Sequence, residues 1–172
     1  MTALLERPAM DIGIGGQVEA WLASQPQPSI PVRYLQEDGA HKGETVPSAG
    51  DLDLRLGALD LAIGPVWGAV ECGPRYAQIL RVAGAHFTVE VGHHGHIERV
   101  AAIKPTTPTW LPSQGLAAQY VTGVVAGELM ARGDAASIAF DWASHGSLAE
   151  GWRLRPLTDA EIDWRYRHRD DR

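Results

Sequence analysis

The run HFTVEV, residues 86–91, alternates cleanly. Phe87, Val89 and Val91 fall on one side of an extended chain, and His86, Thr88 and Glu90 fall on the other. RYAQILRV before it and HIERVAAI after it are also β-rich, and AGA and GHHG punctuate the three runs. That pattern predicts an antiparallel meander. PVRYLQ predicts an earlier strand. SIAFDW, with Ile138, Phe140 and Trp142 on one side, and WRLRP predict two later ones. LDLRLGALDLAI also alternates, with its phase shifted by one at Gly57-Ala58, as a tight turn or bulge would produce. Leu52, Leu56, Leu59 and Ile63 fit helical spacing as well, so a helix is the alternative there. The strand is favoured.

Helical patterns lie in two main places. Ser113 offers an N-cap, and QGLAAQYVTGVVAGELMAR predicts a long helix that Gly133 stops, with Leu116, Tyr120, Val124 and Val125 on or near one face. Gly123 and Gly127, four apart, would let that helix pack closely on the sheet. At the end of the chain, LTDAEI places Thr158 and Glu161 as a capping box and Leu157 and Ile162 as a hydrophobic staple. Glu161–Arg165 and Asp163–Arg167 are favourable i,i+4 pairs, so DAEIDWRYRHR is predicted helical. GQVEAWLAS predicts a short helix, and the prolines of SQPQPSIP break it. EDGAHKGETVPSAGD and ASHGSLAEG read as loops. The class is α+β: an antiparallel β-sheet, built as a meander, packed by a long helix, with a short C-terminal helix. The length of 172 residues fits one domain, 1–172, whose first 31 residues are loosely ordered.

Composition narrows the classes of function. The hydrophobic fraction of 45% and charged fraction of 21% are ordinary for a globular protein. A net charge of −6 argues against a general nucleic-acid binder. The charge is uneven, because the last twenty residues hold six arginines against five acids. Cys72 is the single cysteine, so no internal disulfide and no multi-cysteine metal site forms, and a reducing cytoplasm fits. The opening MTALLERPAMDIGIGG lacks the pattern of a signal peptide, and no apolar run approaches 18 residues. The expectation is a cytoplasmic protein without membrane, nucleic-acid or cofactor partners.

Three places carry candidate chemistry. In GHHGH, an extended chain would put His94 and His96 on one side as a metal-chelating pair, with Glu98, His86 or His145 as further suppliers. The same residues also suit a hairpin tip, since Gly92 and Gly95 supply permissive backbone. The tip accounts for more of the pattern. Cys72 is a candidate nucleophile, or a small buried hydrophobe. DWASHGS brings Asp141, Ser144, His145 and Ser147 together in sequence, but a relay is defined by geometry in space, and no G-x-S-x-G elbow occurs. DIGIGG lacks the full dinucleotide-binding spacing. Six tryptophans are many for this length, and any that are exposed favour a protein interface.

ECGPRYAQILRV, GHIERVAAIKPTTPTWLPSQGLAAQ and FDW, taken in order, resemble the C-terminal part of nickel–iron hydrogenase large subunits and their catalytically silent relatives among hydrogenase assembly proteins. Glu71, Pro74, Arg75, Gly95, Ile97, Pro105, Thr106, Trp110 and Asp141 carry the likeness. The proline–arginine pair is displaced, two extra residues precede Trp110, and Asp141 is followed by Trp142 rather than proline-cysteine. The metal-holding cysteine pairs of that family are missing. The resemblance therefore implies an assembly or interaction protein rather than a metalloenzyme. By fold-level analogy alone, the plan also looks like some immunity proteins of bacterial toxin systems.

The reading that results is a non-enzymatic protein-binding or assembly factor. Trp164, Arg165, Tyr166 and Arg169 are the expected partner contacts, because arginine and aromatic side chains dominate interface hot spots. The competing class is a small enzyme with a pocket in a curved sheet, using His86, His93, His94, His96 or Asp141.

Overall fold

Gly73 and Gly84 adopt the positive φ that tight turns need, and each sits between two strands. β3 (Trp67–Cys72) and β4 (Arg75–Ala83) pair across the first turn, and β5 (His86–His93) follows across the second. His93 pairs with His96, so β5 and β6 (His96–Ala102) form a tight hairpin. β4, β5 and β6 are the predicted meander, and β3 adds a strand that the pattern did not predict. β1 (Arg33–Gln36) and β2 (Glu44–Thr45) extend it on one side, and β9 (Trp152–Pro156) extends it on the other. The order is β2-β1-β3-β4-β5-β6-β9, and every pairing is antiparallel. The computed structural model describes residues 30–39, 42–93, 96–102, 110–119, 121 and 123–161. Pro31–Arg172 is one compact unit.

Two helices cover one face of the sheet. α1 (Ala49–Leu56) and α2 (Arg132–His145) bury Leu52, Leu56, Ala135, Ile138, Ala139 and Ala143 against Val70, Ile79, Val89 and Val91. α1 forms where a strand was favoured. The Ser48 hydroxyl accepts from the Asp51 N–H at 3.2 Å, and Arg55 Nε reaches Asp51 at 3.2 Å one turn later. A helix also turns Leu54 out to solvent, at 73% exposed, while Leu52 and Leu56 go in. α2 replaces the predicted strand at SIAFDW. Its alanines let the backbone lie close to the sheet, and Gly146, in the left-handed conformation, closes it with an N–H to Trp142 O at 2.8 Å. Arg75 then donates to the Ala143 and Ser144 carbonyls at 3.0 and 2.7 Å, at the negative end of the helix.

The long helix is therefore α2, and not the segment 114–132. There the chain makes a 3₁₀ turn at Gly115–Gln119, strand β8 (Gly123–Val125) and a second 3₁₀ turn at Ala126–Glu128. Gly115 has φ +53, and a Cβ on it would lie 2.0 Å from the Leu61 carbonyl oxygen. That positive φ lies outside the right-handed helical region, so no regular helix runs through Gly115. Glycines and β-branched valines weaken helix propensity through the rest of the segment. The segment instead covers the second face of the sheet. Val66, Leu80, Val82, Ala117, Val121 and Val124 form a second, smaller core there. The predicted C-terminal helix opens at Asp159–Glu161, the last described residues. Among the described residues no helix is long and apolar enough to cross a membrane.

Candidate functional site

The second face of the sheet carries the two unusual features of this protein. The first is an ion cluster. Glu90, Arg99 and Arg155 are register partners on β5, β6 and β9, so all three project from one face in one row. Arg99 is only 2% exposed. Its Nη2 donates to Glu90 at 2.8 Å, and its Nη1 donates to Glu128 at 3.1 Å and Glu161 at 2.7 Å. Arg155 donates to the same Glu128 through Nε, and to Glu161 at 2.9 and 3.1 Å. Glu128 is 1% exposed and comes from the second 3₁₀ turn.

Glu161 does two jobs at once. Its Oε2 accepts from the Thr158 N–H at 2.7 Å and the Thr158 hydroxyl at 2.9 Å, and that hydroxyl accepts from the Glu161 N–H at 3.4 Å. This is the predicted capping box. The same carboxylate binds both arginines. Burial alone would raise its pKa. The Arg155 hydrogen bonds, the Thr158 N–H and the Arg99 charge outweigh burial and hold it at about 2. Arg155 is raised, chiefly by its hydrogen bond to Glu161. Glu161 thus stays ionised at neutral pH, and its contacts tie the start of the C-terminal helix to the sheet.

The second feature is a two-stranded ribbon. β7 (Trp110–Pro112) pairs with β8, with Trp110 opposite Val125 and Leu111 opposite Val124. Val124 is fully buried in the smaller core, and Leu111 on that side is half-buried. The outer side shows Trp110, Pro112 and Val125, with Trp110 53% and Val125 41% exposed. The indole of Trp110 lies across Gly123, where a Cβ would fall 2.5 Å from its ring. The lobe that carries this ribbon is held at both ends. Gln114 N–H donates to Val82 O at 2.8 Å, and Met130 and Phe87 exchange backbone hydrogen bonds at 2.9 and 3.0 Å. From Pro105 to Gly127 no residue is acidic, basic or histidine.

The residues singled out from the sequence fall elsewhere. Trp164, Arg165, Tyr166 and Arg169 lie outside the described residues, as do His94 and the side chain of His96. The hairpin that the GHHG turn predicts is present in the pairing of β5 with β6. Among the described residues no group of three His, Cys, Asp or Glu is placed to hold a metal. Cys72 is buried in the larger core, as a small hydrophobe would be. Asp141, Ser144 and His145 ride on the last turns of α2. His145 and Ser147 are exposed, the Ser144 hydroxyl is buried, and no hydrogen bond joins these side chains into a relay. Of the tryptophans, Trp67, Trp142 and Trp152 are half-buried against the cores, and Trp110 is exposed.

Part of the ion cluster was available to sequence reasoning. A two-residue turn between His93 and His96 sets Glu90 opposite Arg99, an opposite-charge pair on adjacent strands. Glu128 gives no such signal, because it arrives from a segment read as helix. No protein-family model, no curated protein and no solved structure significantly matches this chain.

Proposed function

We propose that this chain is a non-catalytic, cytoplasmic binding factor that acts by holding another protein. The carrying observation is the outer side of the β7–β8 ribbon. It exposes an aromatic and an aliphatic side chain directly opposite each other, within a stretch free of charge, in a protein that is 21% charged. Interface centres have that composition: depleted of charge and enriched in tryptophan. Trp164, Arg165, Tyr166 and Arg169 are the proposed second contact. Glu161, just before them, is tied to Arg99 and Arg155. A reducing compartment suits the lone buried Cys72. The resemblance to hydrogenase assembly proteins names one partner to look for, a hydrogenase large subunit, and a bacterial toxin is the other.

The test is purification of the tagged chain from its native host, beside Trp110→Asp and a variant with Trp164, Arg165, Tyr166 and Arg169 changed to alanine. One stoichiometric partner that is lost in either variant supports the reading, and its identity decides between the two partner classes. Recovery of the same partner at undiminished yield from both variants would remove these surfaces from consideration. The absence of any partner in repeated low-salt trials would remove the binding reading itself.

A further inference from the structure

We infer that the lobe carrying the β7–β8 ribbon and the start of the C-terminal helix are coupled through one pair of arginines, so that releasing either segment loosens the other. Glu128 ends the second 3₁₀ turn, two residues before the Met130–Phe87 hydrogen bonds that hold the lobe to β5. Glu161 closes the capping box on Thr158. The two carboxylates come from separate segments and accept from the same two guanidiniums. Arg99 Nη1 serves both, at 3.1 Å to Glu128 and 2.7 Å to Glu161. Arg155 gives its Nε to Glu128 and its Nη1 and Nη2 to Glu161.

The sign of the coupling follows from the sheet. Arg99 and Arg155 stand opposite each other on β6 and β9. Like charges in that position repel. Each carboxylate bridges the pair and draws the guanidiniums together. With one bridge in place, the other meets two arginines already fixed, so the rotamer entropy of two long side chains is lost once for both. Burial acts in the same direction. The side chains of Glu161 and Arg155 are 26% and 23% exposed, so they form the outer layer of the cluster over the buried Arg99 and Glu128. Lifting Glu161 away opens that inner pair to water, which weakens an attraction that a low local dielectric had strengthened. Repulsion between Glu128 and Glu161 opposes the coupling, and it is the smaller effect, because each carboxylate has both cations as hydrogen-bonded neighbours.

The arrangement makes the ribbon responsive to the C-terminal end of the chain. A partner that holds the chain after Glu161 in place also steadies Trp110 and Val125, and a partner that draws it away loosens them. The coupling is a property of the chain alone. Its loss would leave both proposed contact surfaces standing, and failure of partner capture would leave the coupling standing.

Amide hydrogen exchange of the full chain, without any partner and resolved by residue, tests this. The reporting amides are Gln114, Val121 and Met130, whose hydrogen bonds run to Val82, Ala117 and Phe87. Glu161→Gln should speed their exchange by about 5-fold or more, the lower end of common coupling between sites. Ile138→Val, which weakens the larger core on the other face of the sheet, is the control for a general loss of stability and should leave them unchanged. Unchanged exchange at these amides in Glu161→Gln overturns the inference. Equal acceleration in both variants also overturns it, because the lobe then opens only with the whole molecule. Coupling is reciprocal, so Glu128→Gln should speed exchange at the Thr158 amide by a similar factor. A Thr158 amide that does not respond in folded Glu128→Gln overturns the inference as well. If that buried substitution prevents folding, the Glu161→Gln comparison decides by itself.

Discussion

Arg99 shows how one side chain can decide several contacts. Its guanidinium fork meets Glu90, Glu128 and Glu161, which come from a strand, a 3₁₀ turn and the C-terminal helix start. An Arg fork can do this in a buried place where a lysine point charge cannot. Replacing Arg99 with methionine would remove one arginine contact from each of the buried Glu90 and Glu128 and from Glu161. The expected cost is about 3–5 kcal/mol in urea unfolding, and Arg99→Lys should recover only part of it. A loss under ~1 kcal/mol would show that the carboxylates find other partners. Two tyrosines illustrate a different residue-scale device. Tyr34 lies over Gly68 and Tyr76 over Gly92, each ring occupying the space a Cβ would take on the facing strand.

The segment 110–130 is where element-level reasoning and the structure part. Its apolar spacing suits a helix, and the helix is not formed. Gly115 is the reason at one end, since its positive φ and its contact with the Leu61 oxygen exist only without a side chain. Leu116 N–H donates to that same oxygen at 2.9 Å, which hangs the lobe on the turn before β3. Gly115→Ala is expected to cost about 2 kcal/mol or more in thermal or urea unfolding, above the ~0.5 kcal/mol typical of a surface change. A neutral or stabilising result would mean that the lobe relaxes freely and that the left-handed turn is dispensable. α2 is the converse case. SIAFDW alternates like a strand, yet Ala135, Ala136, Ile138, Ala139 and Ala143 form the helical stripe that the sheet accepts.

Across the described molecule, the ion cluster couples the Thr158–Glu161 capping segment to the sheet, and this coupling has a pH signature. Glu161 has its folded pKa lowered from 4.5 to about 2. Its contribution is therefore complete above about pH 4.5 and is lost as pH falls towards 2. The full shift corresponds to ~3 kcal/mol, but the carboxylate is partly open to solvent, and screening reduces the expected contribution to about 1 kcal/mol. The stability difference between the wild type and Glu161→Gln should hold steady from pH 7 to 5 and shrink between pH 4.5 and 2. A difference that persists at pH 2 would assign the effect to packing rather than to charge.

Local chemistry alone determined much of this protein. The alternation of HFTVEV, with turn residues at Gly84 and the GHHG tip, specified the three-stranded meander, because a strand's two-residue period and a tight turn leave little choice of register. The Thr158–Glu161 box was equally legible, since its partners are three residues apart. The tertiary structure decided the rest. Whether LDLRL, 114–132 and SIAFDW become helix or strand depends on which face of the sheet each must cover, and a short apolar run is compatible with either period. It also decided the site. Trp110 became the exposed tryptophan among the described residues, and Glu128 joined Arg99, because a segment distant in sequence folded back over the second face. Burial and contact there follow from long-range packing, which no local spacing encodes.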